Sequence, residues 1–137
     1  MAISYFSQDV PFPKIKRRET TRWIQRVAES HSRKIGSITY IFCSDAEILR
    51  LNEQYLNHDY YTDIITFDDS EDLRISGDLF ISLDTVRTNV EKYQTDYAEE
   101  LNRVMIHGVL HLCGFKDKTP QDEQRMRERE EQALKML

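Results

Sequence analysis

The spacing of hydrophobic and polar positions changes several times along this chain, and each change predicts an element. Ala2 to Ser7 reads as a first strand, and the PFP run at 11–13 stops it. Residues 18–33 predict a helix, with Trp23, Ile24 and Val27 on one apolar stripe. Residues 37–43 (SITYIFC) are β-branched and aromatic, the composition of a strand. Ser44 followed by Glu47 predicts a capping box, ahead of a helix carrying Ile48, Leu49, Leu51 and Leu56. Residues 63–68 and 77–83, with a turn between them, predict a β-hairpin. Asp84 is expected to cap a helix that ends near Gln94. A long helix is expected from about Asp96 to Cys113, stopped by Gly114. Thr119 and Pro120 supply the N-cap and first residue of the last helix. The pattern predicts an α/β fold: one domain over residues 1–137, with a small mixed four-stranded sheet covered by about five helices.

Composition agrees and removes some classes of function. Hydrophobic residues make up 39% of the 137 residues and charged residues 31%, the balance of a folded domain. No apolar run approaches the ~20 residues that cross a bilayer. The first residues show no basic segment ahead of an apolar one, so no secretory signal is expected. Two cysteines without such a signal point to free thiols in the cytoplasm. The net charge of −5 argues against nucleic acid, but its distribution weakens that objection. Residues 14–34 hold eight cations against two glutamates, a local +6 that leaves −11 on the rest. Such a stretch is either a solvated helix face or a local contact for phosphates.

The chemistry concentrates in HGVLHLCGFKD, residues 107–117. His107 and His111 are four apart on one helix and so share a face, with Cβ atoms ~6 Å apart. Two imidazoles at that spacing can close on one ion at ~2.1 Å each. Gly114 lets the chain leave the helix in a left-handed conformation, and Asp117 can return to the same side. The spacing H-x-x-x-H-x-x-G-x-x-D follows that of the long zinc-protease motif. It lacks the glutamate after the first histidine, where this chain has Gly108. Peptide hydrolysis by that route therefore has no general base. Glu100 is seven residues before His107, ~10.5 Å along the axis, too far to share an ion. Cys113 points roughly 200° away from His111. It reads, with Cys43, as a small core residue.

Read as a motif, HGVLHLCGF closely resembles the signature H-G-x-L-H-L-x-G-Y-D-H of the bacterial rRNA-maturation endoribonucleases, the YbeY family. LNEQYLNHDYYTDIITFD (51–68) is similar to that family's L-N-x-x-Y-R-x-K-D-x-P-T-D-V-L-S-F, and GDLFIS (77–82) to its G-D-I-x-I-S. The resemblance spans most of residues 45–118. It implies a single α/β domain, one zinc on three ligands of the last motif, and hydrolysis of single-stranded RNA in ribosome maturation, including processing of the 16S 3′ end. It implies ribosomal RNA as partner, with the small ribosomal subunit as a possible second one, and no membrane. Carried over, the ligands are His107, His111 and Asp117, the last in place of the family's third histidine. Leu56 stands where the family has arginine, His58 where it has lysine, Tyr61 where it has proline, Phe115 where it has tyrosine and Lys116 where it has aspartate. Thr62 and Asp63 match, although both also suit a cap at the start of a strand.

An arginine would handle phosphate charge, and a carboxylate ligand lowers the charge of the zinc site. Another cation is therefore expected nearby. His58, Lys116 and Lys118 are the candidates, each of which also reads as an ordinary loop or helix-end residue. Two attackers remain open, a metal-activated water or the RNA 2′-OH. The competing function is a ribosome-assembly factor that binds RNA and keeps a structural metal without turnover.

Overall fold

The computed structural model describes residues 2–56 and 62–137. The chain order is β1 (Ala2–Ser7), α1 (Arg17–Ser30), β2 (Lys34–Cys43), α2 (Asp45–Leu51), a π-helical turn (Asn52–Leu56), β3 (Ile64–Asp68), β4 (Arg74–Ser82), α3 (Leu83–Tyr93), α4 (Tyr97–Leu112) and α5 (Pro120–Leu134). The four strands form one sheet in the order β1-β2-β4-β3. β1 and β4 run parallel to β2, and β3 pairs antiparallel with β4, Ile64 opposite Ile81 and Asp68 opposite Gly77. The sheet is mixed and the predicted hairpin is present.

Strand alternation divides the core between the two sheet faces. Ile38, Tyr40 and Phe42 of β2 and Leu79 and Ile81 of β4 belong to the main core with Trp23, Ile24, Met105 and Val109 of α1 and α4. Cys43 and Ile65 belong instead to a smaller cluster with Ile48 and Leu51 of α2. The polar tips of the buried aromatics are satisfied across elements. Trp23 Nε1 donates to the Ala133 carbonyl at 2.8 Å, which ties α5 to α1. Tyr40 donates to the Met105 carbonyl at 2.9 Å, which ties α4 to the sheet. Both cysteines are free and buried, as expected; burial pushes the Cys43 thiol up to about 12 and Cys113 up to about 11.

Two N-caps form where the sequence predicts them: Ser44 accepts from the Glu47 N–H and Thr119 from Asp122. The reciprocal half of the Ser44–Glu47 box is not made, because the Ser44 N–H donates to Asp9 Oδ1 at 2.9 Å and the Glu47 carboxylate accepts from Arg50. Asp96 caps α4 by accepting from the Glu99 N–H. The helix after β4 differs. Its N-cap is Ser82, which accepts from the Thr85 N–H at 3.1 Å, and the helix begins at Leu83. Asp84 is already inside the first turn, and its carboxylate accepts from the Asp45 N–H at 3.0 Å. β2 and β4 also begin earlier than predicted, at Lys34 and Arg74. The two ends pair with each other, so a polar start is stabilised by backbone bonding that side-chain periodicity does not report.

No helix among the described residues is long and apolar enough to cross a membrane.

Candidate metal centre

Helix α4 carries the centre, and its packing explains the residue between the two histidines. A Cβ on Gly108 would meet Ile64 Cδ1 at 2.8 Å and Leu79 Cδ1 at 3.1 Å. The helix therefore lies close against β3 and β4, and a side chain at 108 must displace the Ile64 and Leu79 methyls that face it. Gly108→Ala should cost up to about 2 kcal/mol net, overpacking of about 1–3 kcal/mol less the ~1 kcal/mol that alanine gains over glycine within a helix. The check is a urea unfolding curve of the variant with and without Ile64→Val, which trims the colliding carbon. Equal destabilisation in both backgrounds would refute the contact as the cause.

With Gly108 against the sheet, His107 and His111 turn toward α5 and the loop that follows α4. Their Nδ1 atoms are both committed. His107 Nδ1 donates to Glu130 Oε2 at 2.6 Å, and His111 Nδ1 donates to the Phe115 carbonyl at 2.9 Å. With these N–H groups used, both Nε2 atoms present lone pairs, and they face each other at 2.9 Å. Gly114 at φ +101° turns the chain back. That return places Asp117 Oδ2 at 3.3 Å from His107 Nε2 and 3.4 Å from His111 Nε2. The three donor atoms lie within 4.8 Å of one another. Three acceptors crowded this closely require a cation or a proton among them. Ligands at ~2.1 Å in a tetrahedral site lie roughly 3.4 Å apart, so the donors fit a zinc-sized ion with little movement.

Glu130 escaped the sequence reading. It is buried on α5, 6% exposed, between Met126 and Ala133 on the stripe that packs inward. Arg103 holds it, with Nη1 at 3.3 Å from Glu130 Oε1, Nη2 at 2.7 Å from Glu131 and Nε at 3.7 Å from the buried Glu100. Glu100 is thus part of a salt-bridge cluster behind the centre, not a ligand. For His107 without a metal, burial acts to lower the imidazole pKa. The Glu130 hydrogen bond and the charges of Glu130, Asp63 and Asp117 outweigh that, and the net shift is upward.

A cleft of about 720 Å³ opens from the histidines toward β3, lined by Asn52, Thr62, Asp63, Asp68 and Lys118. Burial raises the pKa of Asp63, against the lowering charge of His107. Thr62 donates to Asp63 at 3.5 Å. Asp63 is therefore part of the cleft and not only the start of a strand. Lys118 lines the cleft as well, whereas Lys116 is exposed and outside its lining. His58 and Tyr61 lie outside the described residues. So does the side chain of Leu56, whose backbone ends the π-helical turn. Phe115 is enclosed by Arg129, 3.9 Å above its ring, and His31.

The family model described as endoribonuclease YbeY matches residues 5–137. The endoribonuclease YbeY of Parabacteroides distasonis is 58% identical over 137 residues, covering 100% of this chain and 96% of the relative. That of Bacteroides thetaiotaomicron is 57% identical and covers 99% of each chain. The solution structure of TM1509 from Thermotoga maritima superposes with a TM-score of 0.69 over 98% of this chain and 88% of its own, at 21% identity, and so shares the fold. At this identity and coverage, the chain belongs to the endoribonuclease YbeY family, hydrolases that act on RNA.

Proposed function

We propose that this protein is a zinc-dependent endoribonuclease specific for single strands. It would act in the cytoplasm in rRNA maturation and ribosome biogenesis, at the 16S 3′ end on small-subunit precursors. One zinc per chain is held by His107, His111 and Asp117. The observation that carries this reading is the pair of Nε2 lone pairs facing each other beside Asp117 Oδ2, with both Nδ1 atoms already committed.

When bound there, zinc supplies Lewis acidity toward a phosphate oxygen and acidifies water. The chain's own residues set how that acidity is used. The Phe115 carbonyl fixes the orientation of His111, and Glu130 fixes that of His107. Three protein donors leave one side of the centre open to the cleft, where RNA enters past β3. Asp117 brings a negative charge to that centre. Lys118 in the cleft lining then supplies positive charge that a phosphodiester needs as its oxygens gain charge, with Lys116 beside Asp117 and His58 four residues before Thr62 as the further candidates.

The deciding experiment is metal analysis of protein purified without chelator, followed by incubation with single-stranded and duplex RNA. The expected result is about one zinc per chain and cleavage of the single strand alone. Lys118→Ala should keep its zinc and cleave at least tenfold more slowly, about 1.4 kcal/mol of barrier. Absence of metal together with intact RNA would refute the reading. Bound metal with intact RNA would replace it with a non-catalytic assembly role.

A further inference from the structure

The metal cleft poses an electrostatic problem for a polyanionic substrate. The two pockets that meet at His107 and Asp117 are lined by six carboxylates: Asp63, Asp68, Asp117, Glu123, Glu128 and Glu130. Among the described residues the cations in that lining are Lys118 and Arg127, and Arg103 pairs with Glu130 from behind it. With Glu130 paired, five carboxylates face two cations, and a divalent ion offsets two of the three excess negative charges. Single-stranded RNA is repelled by such a surface beyond the immediate reach of the metal, and affinity for RNA is mostly phosphate neutralisation. A long strand therefore gains little affinity from the cleft itself and needs a further contact.

We propose that single-stranded RNA is anchored in the groove between β1 and α1, at the opposite edge of the sheet from β3. This groove has a volume of about 640 Å³. Arg17, Arg18 and Arg22 line it, and no carboxylate among the described residues does. All three arginines are exposed, and none forms an ion pair among the described residues. On a chain of net charge −5, three unneutralised arginines on one groove are a concentrated anion-binding surface. The floor is rigid, because Tyr5 and Thr21 hydrogen-bond across it at 2.9 Å, joining strand to helix. Arg17 is held over the Phe12 ring at 4.4 Å, which limits the entropy it loses on gripping a phosphate. β1 is an edge strand, so its outward N–H groups are further donors for phosphate oxygens.

The basic stretch thus divides into two parts. Arg26 belongs to neither groove nor phosphate, since its guanidinium donates to the Met136 carbonyl at 3.0 Å and ties down the C-terminus. The groove lies at the β1 edge of the sheet and the metal centre on α4 over β3 and β4, and the two edge strands are three strand spacings, roughly 14 Å, apart. A strand several nucleotides long can engage both, whereas a dinucleotide reaches only one. The groove accordingly sets affinity for long RNA, and the cleft does the cutting. The choice of RNA as ligand rests on the ribonuclease reading; the groove and its charge do not.

The test compares the zinc-loaded parent with Arg18→Glu/Arg22→Glu, using fluorescence anisotropy of a labelled single-stranded 2′-O-methyl RNA of roughly 16 nucleotides. A control variant, Lys92→Glu/Lys135→Glu, has the same net charge change at exposed sites outside the groove. The groove variant should bind at least tenfold more weakly than the control, and its salt dependence should fall by about 1.4 in log–log slope, two phosphate contacts. Cleavage of a dinucleotide should match that of the parent. Equal binding by the two variants would overturn the proposal. So would displacement of the RNA from the parent by polyglutamate at similar concentration, which would make the groove a site for acidic peptide. A parent that binds RNA without cutting it would sink the catalytic reading, while the affinity difference between the variants would still support the groove.

Discussion

His107→Ala and His111→Ala should each abolish metal binding, and with it RNA cleavage, while leaving the fold intact. The protein contributes three donor atoms to the centre, so removing one leaves two, too few to hold zinc against competing chelators. The sites tolerate the change. Both side chains face the cleft, about a quarter exposed, so neither leaves a closed cavity. The measurement is zinc content after dialysis against a weak chelator, with thermal unfolding recorded at several zinc concentrations. A ligand that binds only the folded state raises stability by about 4 kcal/mol at a thousand times its Kd. The parent should show that rise and the two variants should not. Stoichiometric zinc in either alanine variant would remove that histidine from the centre. A parent whose unfolding ignores zinc would leave the pair as a proton-bridged core feature.

The cluster of His107, His111 and Asp117 was readable because it is local. One helix, one glycine and one return loop place all three donors, and each step has a spacing rule behind it. Glu130 is different. It reaches His107 from α5, and only the packing of α5 on α4 and α1 brings it there. One signal was nonetheless present. Met126 and Ala133 mark the buried stripe of an otherwise charged helix, and Glu130 lies on the same stripe. A carboxylate on a buried stripe must have a partner, but the sequence does not say which cation or histidine supplies it; the fold supplies both Arg103 and His107.

Other differences also follow from non-local competition. Ser82 and Asp84 both suit a helix cap by residue type, and the strand pairing of β4 decided between them by holding Ser82 at the junction. The order β1-β2-β4-β3 has no local signature, because a crossover is fixed by which apolar faces the helices cover. The basic run of residues 14–34 was visible as charge but not as a surface. Arg22 and Arg26 are four apart and share a face of α1, so only the tertiary neighbours of each turn make one line the groove and the other bond the Met136 carbonyl. Gly108 was legible only as a missing base; the closeness of Ile64 and Leu79 adds a packing role that the spacing alone does not show.

Glu130→Ala should weaken zinc binding about 10–100-fold, the usual effect of removing the partner of a metal-bound histidine. The hydrogen bond at 2.6 Å fixes which nitrogen of His107 carries the proton, and so keeps the Nε2 lone pair aimed at the centre. It also makes the imidazole a stronger donor. Glu130→Gln separates these contributions. Its side-chain oxygen can still accept from Nδ1, so orientation survives while the negative charge is lost, and the affinity should fall between parent and alanine. Neither change is neutral for the fold, because Arg103 loses one of its three carboxylates, but Glu100 and Glu131 remain. Stability should therefore fall much less than the 3–5 kcal/mol of an abandoned buried charge. Competition against a chromophoric zinc chelator gives the affinities, and chemical unfolding of metal-free protein gives the stabilities. A Glu130→Ala variant with parental zinc affinity would show that His107 holds its orientation without Glu130. Equal affinities for Gln and Ala would show that charge, and not the aim of the ring, is what Glu130 supplies.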